Sequence, residues 1–187
     1  MLFGKAGRKN ERYYGKDTYR HFDKLLSRTG EILIVSPYID AYYAKILVRK
    51  SRGRKIYLIS SSPESGALKI IKGESASLVI VAYTALSLLL FLLLLHLGIR
   101  NSLLFISLLP FLFGLYKAFT KRSKVRVKLP KQFIHAKMYI SKDMAITGSA
   151  NITYNGMHKN LEQTEIVYNV DEISRLRKQF WRIWNSV

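Results

Sequence analysis

From Leu78 to Leu97 the chain runs for 20 residues without a formal charge, and a second uncharged-but-for-one stretch, Leu103 to Phe119, follows after the turn Gly98-Ile99-Arg100-Asn101-Ser102. A helix rising about 1.5 Å per residue crosses a hydrocarbon core about 30 Å thick with roughly 20 residues, so the first stretch is long enough and the second just so. Lipid offers no partners to backbone polar groups, which leaves helix as the way to satisfy them. A chain this small has nothing large enough to bury two helices that are apolar all round. The reading is a transmembrane helical hairpin over residues 76–119, with spans of about 78–97 and 103–119, the second kinked at Pro110.

Charge is segregated from this segment. Of a formal net charge of +19, residues 76–119 carry two, Arg100 and Lys117, and everything else carries 17. The apolar content of 49% excludes a disordered basic tail, and the absence of cysteine excludes a disulfide-stapled secreted domain. Basic residues crowd both flanks: eight Lys/Arg against Glu64 from Lys45 to Lys72, and seven with no acid from Lys117 to Lys131. Such flanks resist translocation, so a multi-pass protein of two spans is expected, with both termini and the catalytic domain cytoplasmic. His96 reads as an interfacial or helix-contact residue. The opening Met1-Leu2-Phe3-Gly4-Lys5 has no apolar core of signal-peptide length, so the hairpin itself is expected to direct insertion.

Residues 1–75 and 120–187 then form one discontinuous domain, because a hairpin returns its two ends to the same side. Asp17 is placed to cap a helix through Leu26, with Tyr19, Phe22, Leu25 and Leu26 on one face and Gly30 at its end. Ile32-Leu33-Ile34-Val35, a helix from about Ala41 to Lys50, and Lys55-Ile56-Tyr57-Leu58-Ile59 make a βαβ unit with parallel strands. Beyond the hairpin come short strands: Val125–Leu129, Ile134–Ile140, Met144–Thr147 and Glu165–Tyr168. An amphipathic helix from about Asp171 to Trp184 closes the chain, its Phe180, Trp181 and Trp184 reading as core.

The chemistry lies in the third quarter of the soluble part. On an alternating strand, His135 and Lys137 face one way and Ala136 the other. Past the tight turn Ser141-Lys142-Asp143 comes Gly148-Ser149-Ala150-Asn151, where Ser149 and Asn151 share a face if extended. An imidazole beside an ammonium, a hydroxyl and a carboxamide suits a phosphate diester: the cation balances charge and the others donate to phosphoryl oxygens. Gly148 would let backbone approach the ligand.

These residues resemble the HKD motif of the phospholipase D superfamily, His-x-Lys-x4-Asp-x6-Gly-Ser-x-Asn, with Glu162 standing where that family carries a downstream carboxylate. Ile32 to Tyr38 and the βαβ unit look like the family's opening half, so the resemblance spans nearly all of the soluble part and leaves the hairpin outside it. The family's Asp would fall at position 142, which is Lys142 here; Asp143 follows one place late and Gly148 stands one place early, a turn shortened by one residue. The resemblance implies a mixed α/β sandwich interrupted by the hairpin. It also implies a two-step displacement at phosphorus with no metal or other cofactor. One histidine attacks to give a phosphohistidine, a second protonates the leaving oxygen, and water or an alcohol releases the product. His135, Lys137, Ser149, Asn151 and Glu162 are the implied catalytic set, with Glu162 orienting the imidazole, and Asp143 is either a member or a turn-forming residue. Such a site needs two motifs and the chain holds one His-x-Lys, which implies a homodimer sharing its active site across a two-fold axis.

The substrate follows from charge. A strongly basic soluble part is an electrostatic footprint for polyanions, which favours an endonuclease acting on DNA or RNA. Anionic phospholipid is the alternative, making the chain a phospholipase D or phosphatidyltransferase acting on the membrane that anchors it. A third reading is a silent membrane-tethered module that binds nucleic acid. In the N-terminal arm, Lys5, Arg8, Lys9 and Arg12 interleave with Tyr13 and Tyr14, in a pattern fit either for nucleic acid or for a solvated arm. His21 reads as helix surface, and His158 matches no motif position.

Overall fold

The computed structural model describes residues 9–97, 106–120 and 123–187; Lys5, Arg8 and the turn carrying Arg100 lie outside them. The chain divides into two compact units, residues 1–71 with 124–187, and residues 72–123.

The larger unit is built on seven strands in the order β1-β7-β6-β5-β2-β3-β4. These are β1 (Glu11–Gly15), β2 (Ile32–Val35), β3 (Ile56–Ile59), β4 (Val125–Lys128), β5 (Met138–Ile140), β6 (Ala145–Gly148) and β7 (Glu162–Val167). As the βαβ reading expects, β2 and β3 are parallel, and β4 extends the parallel half; the β2–β5, β5–β6, β6–β7 and β7–β1 pairs are antiparallel. All four residues of β2 and of β3 are buried, since both faces of the sheet are covered. Helices α1 (Thr18–Leu26), α2 (Ala41–Lys50) and α3 (Ser65–Lys72) cover one face, where Phe22, Leu47 and Ile71 pack on Ile32, Ile34 and Ile56. After the short α6 (Tyr154–His158), the last helix, α7 (Val170–Ser186), covers the other with Ile173 and Phe180 against Leu33, Val35 and Ile140. Of the three aromatics read as core, Phe180 is fully buried, and Trp181 and Trp184 are half-buried against it, with Tyr57 edge-on to both tryptophans.

Several local expectations shift. Asp17 occupies the cap position of α1 but its carboxylate makes no capping bond and lies 3.8 Å from Arg20 instead. The strand expected over Ile134–Ile140 is hydrogen-bonded from Met138 on. The expected N-terminal arm is in part strand β1, where Tyr13 pairs with Thr164 and Arg12 meets Glu165 at 3.4 Å, so Arg12 belongs to the sheet edge.

The smaller unit contains α4 (Glu74–His96) and α5 (Leu108–Thr120). The two helices pack closely: a Cβ on Gly114 would lie 2.7 Å from Cβ of Tyr83, and the Tyr83 and Phe113 rings meet edge to face at 5.7 Å. Ser87 Oγ donates to the Ser107 carbonyl across them. Among the described residues no helix is long and apolar enough to cross a membrane. This overturns the two spans, and with them the multi-pass placement with a cytoplasmic catalytic domain. Of the second expected span the described α-helix is α5, Leu108–Thr120, whose 13 residues rise about 20 Å, short of a hydrocarbon core. Pro110 is the third residue of α5, in its first turn, where its missing N–H leaves no bond of this helix unmade.

Candidate active site

The ends of five strands meet at one edge of the sheet. Because β5 runs antiparallel to β2, its start lies beside the carboxyl ends of β2 and β3, and β6 ends there as β7 begins. Ligands of open α/β sheets bind outside the carboxyl ends of parallel strands, where segments that no longer pair can turn outward. The approach to β5 is pinned: Ile134 N–H donates to Ser61 Oγ at 2.8 Å, and Ser61 Oγ donates back to the Ile134 carbonyl at 3.2 Å. Ile134 and Ala136 pack into the α7 side of the core, so His135 and Lys137 turn to the opposite face, as alternation requires.

His135 is exposed and Lys137 is buried, with 7% of its surface accessible. The Lys137 ammonium lies 3.0 Å from His135 Nε2 and 3.3 Å from Nδ1, and donates to the His135 carbonyl at 2.9 Å. Burial lowers the Lys137 pKa below the ordinary lysine value, and the charge of Glu162 opposes that shift. Glu162 is itself buried and accepts from Ser149 Oγ and, at 3.2 Å, from Asn160 Nδ2. The Ser149 hydroxyl accepts in turn from Gln163 N–H at 3.0 Å, and Ser149 N–H donates to the Gln163 carbonyl at 3.0 Å. Asn151 is held by its neighbour: Ile152 N–H donates to Ser36 Oγ at 3.1 Å and Ile152 bridges Ile39. Asn151 Oδ1 is buried with no hydrogen-bond partner among the described residues, an acceptor left for a group from outside.

The structure therefore brings His135, Lys137, Ser149, Asn151 and Glu162 to one edge. Two details differ from expectation. Glu162 bonds Ser149 and Asn160 and not His135, so within one chain it steadies the hydroxyl and offsets the buried ammonium. Gly148 accommodates the neighbouring strand: a Cβ there would lie 2.1 Å from the Gln163 carbonyl oxygen. Asp143 is not part of the cluster. It sits in the turn at the far end of the β5–β6 pair, roughly 10 Å along the strand from Lys137, and meets Arg28 at 3.2 Å. Among the described residues no group of three or more His, Cys, Asp or Glu is arranged to hold a metal ion.

Asn160 is the member that residue spacing did not single out, although it lies two places before Glu162. Also unanticipated is an aromatic rim, in which the Phe133 ring stacks on His135 at 6.2 Å and Tyr38 approaches Phe133 at 5.9 Å. His158 lies stacked between Tyr19 at 4.3 Å and Tyr154 at 4.7 Å, its Nε2 3.0 Å from the Tyr43 hydroxyl, and this contact gives it a packing role.

The family described as cardiolipin synthase, PLD-like domain, matches residues 23–184. The chain belongs to this PLD-like family. Its membership in the phospholipase D superfamily of phosphodiesterases thus covers both pieces of the larger unit and the helical insertion. NucT from Helicobacter pylori shares the fold at 14% identity and a TM-score of 0.54, over 95% of this chain and 96% of that one. Nuc from Salmonella typhimurium, a phospholipase D family member, does so at 14% identity and a TM-score of 0.52, over the same shares. A polyphosphate kinase from Porphyromonas gingivalis carries a similar fold at 11% identity and a TM-score of 0.52, over 96% of this chain and 26% of that one. A sequence search of curated proteins found no match.

Proposed function

We propose that this PLD-like chain is a nuclease that cleaves nucleic acid through a phosphohistidine on His135, working as a homodimer with a shared site. The observation that carries the reading is the buried Lys137 ammonium against the exposed His135 imidazole, with Ser149 and Asn151 beside it. In the free site the ammonium's donors are occupied by the ring and carbonyl of His135. A diester phosphate presents stronger acceptors, so Lys137 and Ser149 turn their N–H and O–H groups to its oxygens and release a ring nitrogen lone pair. That nitrogen attacks phosphorus, the P–N bond forms, and the P–O bond to the leaving strand breaks. The leaving oxygen takes its proton from the equivalent histidine of a second copy, which then deprotonates the water that hydrolyses the P–N bond. One His-x-Lys per chain supports the two-copy arrangement, and the net charge of +19 supports a polyanionic substrate.

The test is cleavage by purified protein in EDTA, run in parallel on DNA, RNA and phosphatidyl lipids, with His135→Ala as control. Nucleic-acid cleavage that survives EDTA and is lost in the variant is the expected result. Headgroup release from lipid without strand cleavage overturns the nuclease reading, and loss of all activity in EDTA overturns the phosphohistidine route. Mixed dimers of His135→Ala and Lys137→Ala subunits are expected to be nearly inactive, since each shared site lacks a group. A fully active monomer in light scattering contradicts the shared site.

A further inference from the structure

Two aromatic rings stand at the mouth of the site with no structural duty that requires their exposure. Tyr38 keeps 41% of its surface accessible and Phe133 keeps 55%. Their backbones are nonetheless fixed. Tyr38 follows Pro37 directly after β2, and its carbonyl accepts from Ser36 Oγ at 2.8 Å; Phe133 precedes Ile134, which Ser61 holds at both its N–H and its carbonyl. The rings lean on each other at 5.9 Å, and Phe133 stacks on the His135 imidazole, 29° from parallel at 6.2 Å. The result is a rigid apolar shelf one ring-width from the nucleophile, with the exposed cation Lys131 two residues before it.

We propose that Tyr38 and Phe133 form a stacking shelf for an unpaired nucleobase next to the scissile phosphate, and that the site therefore selects single-stranded over duplex nucleic acid. The inference rests on the nuclease reading above. In a duplex the bases are stacked on one another inside the helix, so a phosphate can reach His135 while no base face reaches the shelf. In a single strand the base of the nucleotide that places its phosphate at His135 is free to lie on an aromatic face, a contact tolerant of sequence because every base has one. A second pair of exposed rings, Tyr42 and Tyr154, meets edge to face at 5.3 Å, and Tyr154 N–H is bound to Asp40 two residues beyond Tyr38. Lys159 lies over the Tyr154 ring at 5.5 Å, which sets a cation beside this second pair at the start of α2.

The experiment measures kcat/KM on three substrates of the same backbone: a single-stranded oligonucleotide, its blunt duplex, and a single strand made abasic throughout. Wild type is expected to cleave the base-bearing single strand about tenfold or more faster than either of the others, the size of one lost base–aromatic contact. In Tyr38→Ala/Phe133→Ala the ratio of base-bearing to abasic rates is expected to fall about tenfold, chiefly through KM, and Tyr38→Trp or Phe133→Trp is expected to keep it. The ratio is internal to each preparation, so a partly misfolded variant does not mimic the effect. Equal cleavage of duplex and single strand, or an unchanged ratio in the double variant, overturns the shelf and leaves the nuclease reading standing. Failure of wild type to cleave any of the three overturns both.

Discussion

Replacing Glu162 by Gln removes a charge and almost no volume, which makes it a sensitive test of how the site is wired. The carboxylate accepts two hydrogen bonds, from Ser149 Oγ and Asn160 Nδ2. Bonds to a charged acceptor contribute about 1.5–3 kcal/mol each and neutral ones about 0.5–1.5, so two of them lose roughly 1–3 kcal/mol. Glu162 also attracts Lys137 from beyond ion-pair distance, which at an effective dielectric of about 20 is worth less than about 4 kcal/mol, and a neutral amide avoids the cost of burying a carboxylate. The net expectation is a loss of about 1–3 kcal/mol, seen as a fall of roughly 2–12 °C in Tm. The decisive readout is the pH–rate profile. Burial already lowers the Lys137 pKa and Glu162 opposes this, so removing the carboxylate lowers it further. The site needs the ammonium, so activity falls as pH rises through that value, and the alkaline limb moves to lower pH by roughly one unit for every 1.36 kcal/mol of attraction lost. Stability has the opposite slope: the unfolded chain keeps this proton up to the ordinary lysine range while the folded chain has released it. This group's contribution to stability therefore rises with pH across that window. Glu162→Asp keeps the charge and is expected to leave the limb nearly in place. An unmoved limb in the Gln variant, or equal movement in both, refutes the coupling of Glu162 to Lys137.

Asp143→Asn removes a partner of Arg28 on a half-exposed surface, and is expected to change stability by less than about 1 kcal/mol and kcat by less than twofold; a hundredfold loss of kcat would return Asp143 to the site. Gly148→Ala places a methyl against the Gln163 carbonyl and is expected to cost about 1–3 kcal/mol in urea unfolding while displacing Ser149, so that activity falls further than stability alone accounts for. Phe180→Ala empties a fully buried position between Trp181 and Trp184, and is expected to cost about 3–5 kcal/mol in the same assay, with the cleavage rate of the folded fraction unchanged.

Sequence patterning read the α/β half of the fold well because its signals are local. Continuous β-branched runs imply strands covered on both faces, and the link between Val35 and Ile56 is long enough for the α2 crossover. The facing of His135 and Lys137 was legible for the same reason, since alternation survives even where the ladder hydrogen bonds stop at Met138. What was not legible depends on partners distant in sequence. Glu11–Gly15 is a strand because β7 offers a free edge some 150 residues on, and nothing in Glu-Arg-Tyr-Tyr-Gly announces that. Glu162 faces Ser149 and not His135 because β6 and β7 pair Gly148 with Thr164, a register that only the assembled sheet sets. The hairpin misled for a different reason: uncharged length in sequence is not the length of a described helix, and α5 spans the 13 residues Leu108–Thr120.

The position of that insertion explains why the site tolerates it. Residues 72–123 interrupt the connection between β3 and β4, which are parallel neighbours. Parallel strands already require a crossover of a dozen or more residues, so the insertion lengthens a link that has to exist, and the closure entropy of a longer link grows only as the logarithm of its length. β4 is also the outermost strand on its side, separated from β5 by β2 and β3. The candidate cluster is built from the start of β5, the end of β6, the start of β7 and the residues directly after β2 and β3, such as Ser36 and Ser61, which precede the insertion in the chain. Helix content can therefore accumulate in this one connection without changing the strand register that positions His135, Lys137, Ser149, Asn151 and Glu162.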